Sequence, residues 1–302
     1  MLDIRRGLLI APLAVVCALG IGCAGASEPT ETPADMETAA ASAPMPAATL
    51  PPTEETAPDA LNTSPRHGEW VDVMLPGSDV PINTWVVYPE RPDSAPVVLV
   101  IHEIYGMTDW IRGVADQFAA EGFIAVAPDL LSGMGPDGGG TESLGERDNV
   151  VATIRTLEVD ERTRRLNAVR TYALDIPSGN GRLGSVGFCW GGGASFAYAV
   201  DQPELNAAVV YYGTSPAEDT DYTGVNTPVL GLYGGSDERV NASIPRAEEA
   251  MTAAGKAFEP VVFDGAGHGF LRAQLGQDGA NLRATEQAWP RTVAFFREHL
   301  GD

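Results

Sequence analysis

From about residue 84 onward the chain alternates between short apolar, β-branched runs and longer stretches with helical spacing. Residues 84–88 (Thr-Trp-Val-Val-Tyr) read as a strand. Residues 96–101 (Pro-Val-Val-Leu-Val-Ile) form a continuous apolar run, the pattern of a strand buried on both faces. Further strands are predicted at 123–127, 184–188, 207–212, 228–233 and 258–263. Helices are predicted at 110–121, 149–173, 191–200, 245–254 and 285–300. Alternating buried strands and helices predict an α/β domain with a mostly parallel central sheet covered on both faces. Ligands of such sheets bind beyond the carboxyl ends of the strands, so chemistry is sought at those ends.

The first 65 residues break this pattern. Arg5 and Arg6 precede an apolar run from residue 7 to 21, followed by Gly22-Cys23-Ala24. A positive start, about 15 apolar residues and small residues beyond them read as a secretory signal over residues 1–23. The run falls short of the ~20 residues of a membrane span. Cys23 stands where a lipoprotein signal places its lipidated cysteine; cleavage elsewhere in 22–27 is the alternative. The Arg5-Arg6 pair also resembles a twin-arginine export signal. Residues 24–65 are dominated by Ala, Pro, Thr, Ser and Glu, with no aromatic and no Lys or Arg. Such a composition reads as a disordered tether. The domain is expected over residues 66–302, on the exported side of the envelope, attached through a lipid on Cys23, and monomeric.

Charge narrows the partners. The chain carries 41 acidic and 19 basic residues, a formal −22. Seventeen basic and 33 acidic residues fall within 66–302, so the domain itself is acidic. A surface of that sign repels phosphate and excludes nucleic acid as a partner. Four scattered His and no paired Cys spacing give no metal site and no cofactor.

Three strand ends carry reactive side chains. Gly187-Phe188-Cys189-Trp190-Gly191-Gly192 lies between a buried strand and a helix. Flanking glycines permit the sharp turn that lifts a nucleophile into a cleft, written G-x-S-x-G when the nucleophile is Ser. No G-x-S-x-G occurs elsewhere. Asp237 follows the apolar strand 228–233, and His268 follows strand 258–263, with Asp264 a rival acid. Nucleophile, acid and His occur in the chain order of α/β hydrolases, so the domain is expected to have the α/β-hydrolase fold. In that order His268 takes the thiol proton and Asp237 orients the ring. The loop after strand 96–101 (His102-Glu103-Ile104-Tyr105-Gly106) is placed to supply the Ile104 N–H to an oxyanion hole with the Trp190 N–H.

Together, these motifs, the Ala266–Arg272 segment (Ala-Gly-His-Gly-Phe-Leu-Arg) and the Ala-Val-Ala-Pro-Asp129-Leu segment resemble the dienelactone hydrolase (carboxymethylenebutenolidase) family. The resemblance implies a Cys189, His268, Asp237 triad. It implies that Glu103 hydrogen-bonds the resting cysteine and that Arg272 binds a substrate carboxylate; Tyr105, in the same loop as Glu103, is expected to bind substrate as well. It also implies a second arginine soon after Asp129. Here Asp129-Leu-Leu-Ser-Gly-Met-Gly-Pro-Asp-Gly-Gly-Gly140 has none before Arg147, and its glycines read as an enlarged or mobile pocket rim. The function expected is hydrolysis of a small activated ester or lactone through a thioester. The alternatives are a non-catalytic binding lipoprotein that keeps the fold and a thiol redox or sensor protein. The latter lacks a resolving cysteine once Cys17 is removed and Cys23 acylated.

Overall fold

A computed structural model of the chain describes residues 49–301. The signal over 1–23, the lipidation site Cys23 and the tether up to residue 48 lie outside the described residues. The strands are β1 (Gly68–Val73), β2 (Ile82–Val87), β3 (Ala95–Ile101), β4 (Ile124–Pro128), β5 (Gly179–Phe188), β6 (Ala207–Tyr211), β7 (Val229–Gly234) and β8 (Phe258–Phe263). The helices are α1 (Ala57–Thr63), α2 (Asp109–Ala120), α3 (Thr141–Leu144), α4 (Arg147–Ile154), α5 (Val159–Leu174), α6 (Trp190–Asp201), α7 (Glu238–Asn241), α8 (Ile244–Ala253) and α9 (Ala280–Leu300).

The strands form one sheet in the order β1-β2-β4-β3-β5-β6-β7-β8. β1–β2 and β2–β4 pair antiparallel, and all later pairs are parallel. All seven residues of β3 are buried, because their side chains alternate between two cores. Val97, Leu99 and Ile101 belong to one core with Leu166, Val169 and Phe196 of α5 and α6, which extends to Met251 of α8. Val98 and Val100 pack with Val114, Phe118, Trp289 and Phe296 of α2 and α9. Each face of the sheet therefore has its own helical layer. This is the α/β-hydrolase fold expected from the alternation.

Three local differences have physical causes. The helix predicted over 149–173 is two helices, α4 and α5. Between them Leu157 buries its side chain and Glu158 takes extended backbone (φ −62°, ψ 151°). β1 was not foreseen because its burial follows no clean alternation, as befits an edge strand. The third is the tether boundary. Residues 49–65 do not belong to a disordered tether; they form an arm laid on the domain. Pro52 packs against Gly113 of α2, where a side chain would clash with the proline ring. The Trp110 Nε1–H donates to the Pro52 carbonyl at 3.0 Å and the Gln274 Nε2–H to the Pro51 carbonyl at 2.9 Å. Ala57 at the head of α1 is fully buried. A few small residues docked by donors from the domain achieve order without a large apolar area.

Candidate active site

Cys189 stands between the carboxyl end of β5 and the first turn of α6, with φ 55° and ψ −116°. A non-glycine residue rarely holds a positive φ, and the surrounding packing must over-determine it. The glycines do so. A Cβ on Gly187 would run into the Gly191 carbonyl, and one on Gly191 into the carbonyls of Ile101 and His102. The Cys189 N–H donates to the Tyr211 carbonyl at 3.1 Å, which ties the turn to β6. Only this glycine pattern lets α6 approach the ends of β3 and β6 so closely.

The cysteine's surroundings act in opposition. Burial, and then the charge of Glu103, push the thiol above its ordinary pKa. The backbone N–H groups of Trp190 and Ile104, directed at the sulfur, and Arg239 counter them. The two N–H groups named from the sequence thus converge on the nucleophile position from different elements. His102 fixes one of them. Its ring is buried, its Nε2 accepts from the Leu130 N–H at 3.2 Å, and its Nδ1–H donates to the Glu103 carbonyl at 2.8 Å. It stacks on Trp190 with 5.7 Å between ring centroids. Burial keeps His102 neutral, with its pKa lowered.

Asp237 follows β7, is nearly buried, and accepts from the Val240 N–H at 3.4 Å. Its other oxygen accepts from the His268 Nδ1–H at 2.5 Å, which leaves Nε2 as the nitrogen available to a reactant. The rival acid Asp264 is exposed and makes no bond to that ring. Among the described residues Cys189 makes no hydrogen bond with His268.

Glu103 is only 4% exposed, and burial raises its pKa to about 7 although Arg272 opposes the rise. The Arg272 Nε lies 2.9 Å from the Glu103 carboxylate but out of line for a hydrogen bond. The resemblance implied a Glu103 hydrogen bond to the resting thiol. In this structure the carboxylate pairs with Arg272 and reaches Cys189 through its field. Arg272 is shared: Glu54 of the arm binds it and also binds Arg147. Both guanidiniums lie over the Tyr105 ring, Arg147 at 4.7 Å and Arg272 at 5.6 Å from the centroid. Arg147, the first arginine after Asp129, therefore returns to this cluster.

The glycine-rich rim is not loose. Asp129 accepts from the Thr141 N–H at 2.7 Å, the Thr141 hydroxyl at 2.8 Å and the Leu131 N–H at 3.0 Å. One residue of this site went unnoticed in the sequence. Tyr212 is fully buried with φ 38°, its ring meets His268 edge-on at 5.2 Å, and its hydroxyl has no partner among the described residues. Its apolar strand context hid it; only the glycine that follows hinted at a bend. A cavity of about 720 Å³ opens onto Cys189, bounded by Ile104 and Trp190 and by Arg155, Arg162 and Arg239.

The arrangement resembles known proteins over most of its length. The model described as the dienelactone hydrolase family matches residues 82–300. A Salmonella typhimurium protein named "Putative carboxymethylenebutenolidase" is 32% identical over 236 residues, 74% of this chain and 85% of that protein. An Escherichia coli K12 protein of the same name is 31% identical over 224 residues, 70% of this chain and 81% of its own. The solved structure titled "Putative Dienelactone Hydrolase", from Klebsiella pneumoniae, matches with a TM-score of 0.68 and 26% identity. It covers 77% of this chain and 99% of its own. Glu54 and the rest of the arm precede the segment matched by the family model.

Proposed function

This chain belongs to the dienelactone hydrolase family, and from that premise we propose that it hydrolyses a small activated ester or lactone through Cys189, His268 and Asp237. The observation that carries the reading is the Asp237–His268 hydrogen bond beyond the carboxyl ends of β7 and β8, at the same end of the sheet where Cys189 follows β5 in its strained turn with two N–H groups aimed at its sulfur.

The cysteine rests as a buried thiol, held protonated by its surroundings. Substrate entry weakens the influence of Glu103, and His268 Nε2 accepts the thiol proton. The sulfur then attacks the carbonyl carbon, forming a C–S bond. The oxyanion is received by the N–H groups of Ile104 and Trp190, worth about 3 kcal/mol per donor. The C–O bond breaks as His268 returns the proton to the leaving oxygen. Water, deprotonated by His268, then attacks the thioester, and the acid leaves as the thiol reforms. Asp237 holds the ring in the tautomer these transfers need and stabilises the imidazolium. Side chains supply every proton transfer, so the sequence of steps calls for no cofactor. A thiolate reverses easily from a poor leaving group, which favours enol lactones and activated esters over peptides.

The expected result is that Cys189→Ala loses turnover of p-nitrophenyl acetate and of a dienelactone, while Cys189→Ser reports whether sulfur itself is needed. Undiminished turnover by Cys189→Ala sinks the assignment. The basic, apolar and cysteine-bearing start of the chain supports placing this reaction on the exported side, with a lipid on Cys23. Labelled palmitate that persists after Cys23→Ala contradicts that placement.

A further inference from the structure

The arginines of the described residues divide into two groups. Eleven of the 16 arginines among the described residues make ion pairs. The five that make none are Arg155, Arg162, Arg182, Arg239 and Arg283, and three of these line the cavity at Cys189. In a protein this acidic, three unpaired guanidiniums around one cavity are not an average of the surface. Arg162 is half-buried, lies 5.9 Å over the Trp190 ring, and has a buried Nε–H with no acceptor. Arg239 donates to the Thr214 hydroxyl at 3.3 Å and sends its charge toward Cys189. The one acid on that wall, Asp201, accepts from the Thr163 hydroxyl at 3.0 Å; its charge acts on Arg162 without forming an ion pair with it. An unfilled buried donor is costly unless something accepts from it.

The arginines beside Glu103, outside that lining, are already satisfied. Arg272 faces Glu54 and Glu103, and Arg147 faces Glu54, so two carboxylates and two guanidiniums close on one another. Glu54 also ties its backbone in, its N–H donating to the Arg272 carbonyl at 3.2 Å.

We propose that this chain receives the anionic group of its substrate on Arg162 and Arg239, and that Glu54 of the N-terminal arm fills Arg272 and closes that side to anions. Glu54 is thereby a specificity-determining residue outside the family-matched segment. The proposal rests on the ester-hydrolase reading above and moves the carboxylate of such a substrate away from Arg272.

The test compares kcat/KM on mono-p-nitrophenyl adipate with that on its neutral methyl ester. Wild type favours the anion about tenfold, the scale of one charge-assisted hydrogen bond. Arg162→Gln and Arg239→Gln each remove most of that preference, and the Lys variants restore much of it. Glu54→Gln raises the preference by freeing Arg272. Arg283→Gln, the same charge change away from the cavity, leaves the ratio where it was. A wild-type ratio of one or less overturns the proposal, as does a ratio indifferent to both arginine variants or lowered by Glu54→Gln. If neither ester is turned over, it is the hydrolase reading that fails instead.

Discussion

Glu103→Gln separates the electrostatics of this site from its packing. The folded protein holds the Glu103 pKa at about 7 against an ordinary 4.5, chiefly by burial. A carboxyl whose pKa is raised on folding binds its proton more tightly in the native state. Its contribution is favourable below about pH 4.5 and is lost as pH rises toward 7. Above pH 7 the ionised carboxylate costs the fold about 3 kcal/mol, the free energy of raising its pKa from 4.5 to about 7. Glutamine has the same shape and carries no such cost. The variant should match wild type near pH 4.5 and exceed it at pH 8. For a domain of this size, 3 kcal/mol corresponds to roughly 6–12 °C in Tm. Melting both proteins across pH 4.5–8.5 gives the difference directly. A difference flat with pH, or wild type gaining on the variant at alkaline pH, refutes the reasoning. The same substitution removes the negative field that, after burial, most raises the Cys189 thiol. Alkylation of Cys189 by iodoacetamide at pH 7.5 should therefore be faster in the variant.

Other outcomes follow from packing. Gly187→Ala places a methyl group inside the Gly191 carbonyl, a backbone atom fixed by α6. It should cost about 3 kcal/mol or more and abolish the turn at Cys189, read as a lowered Tm with lost esterase activity. A chain begun at residue 66 leaves the Trp110 Nε1–H and one Gln274 donor without their arm acceptors and removes Glu54 from Arg272. It should lose about 2 kcal/mol, roughly 4–8 °C, with altered Trp110 fluorescence; an unchanged Tm contradicts the docked arm.

The parts of this molecule that repeat a local rule were legible in the sequence. The residues of β3 alternate between two cores and so are apolar throughout, and the Gly-x-Cys-x-Gly-Gly turn closes on itself, Gly187 lying against the Gly191 carbonyl. What escaped depends on distance in the chain or on small increments. Glu54 and Arg272 are 218 residues apart, and nothing in the Pro- and Thr-rich composition of residues 49–65 marks them as docked. Tyr212 looked like the end of an apolar strand, although its φ of 38° turns it against His268. The glycine-rich rim looked loose because its clamp is one carboxylate, Asp129, reaching Thr141 12 residues on. Residues that place a functional side chain do so through partners that periodicity does not report.

The central claim is that Cys189 carries the acyl group. Brief mixing of the protein with p-nitrophenyl acetate at acidic pH, followed by intact-mass and peptide analysis, tests it most directly. The account predicts one added acetyl group, located on the peptide containing Cys189, labile to hydroxylamine, and absent from Cys189→Ala. An acetyl group on another residue, or full turnover by Cys189→Ala, contradicts it.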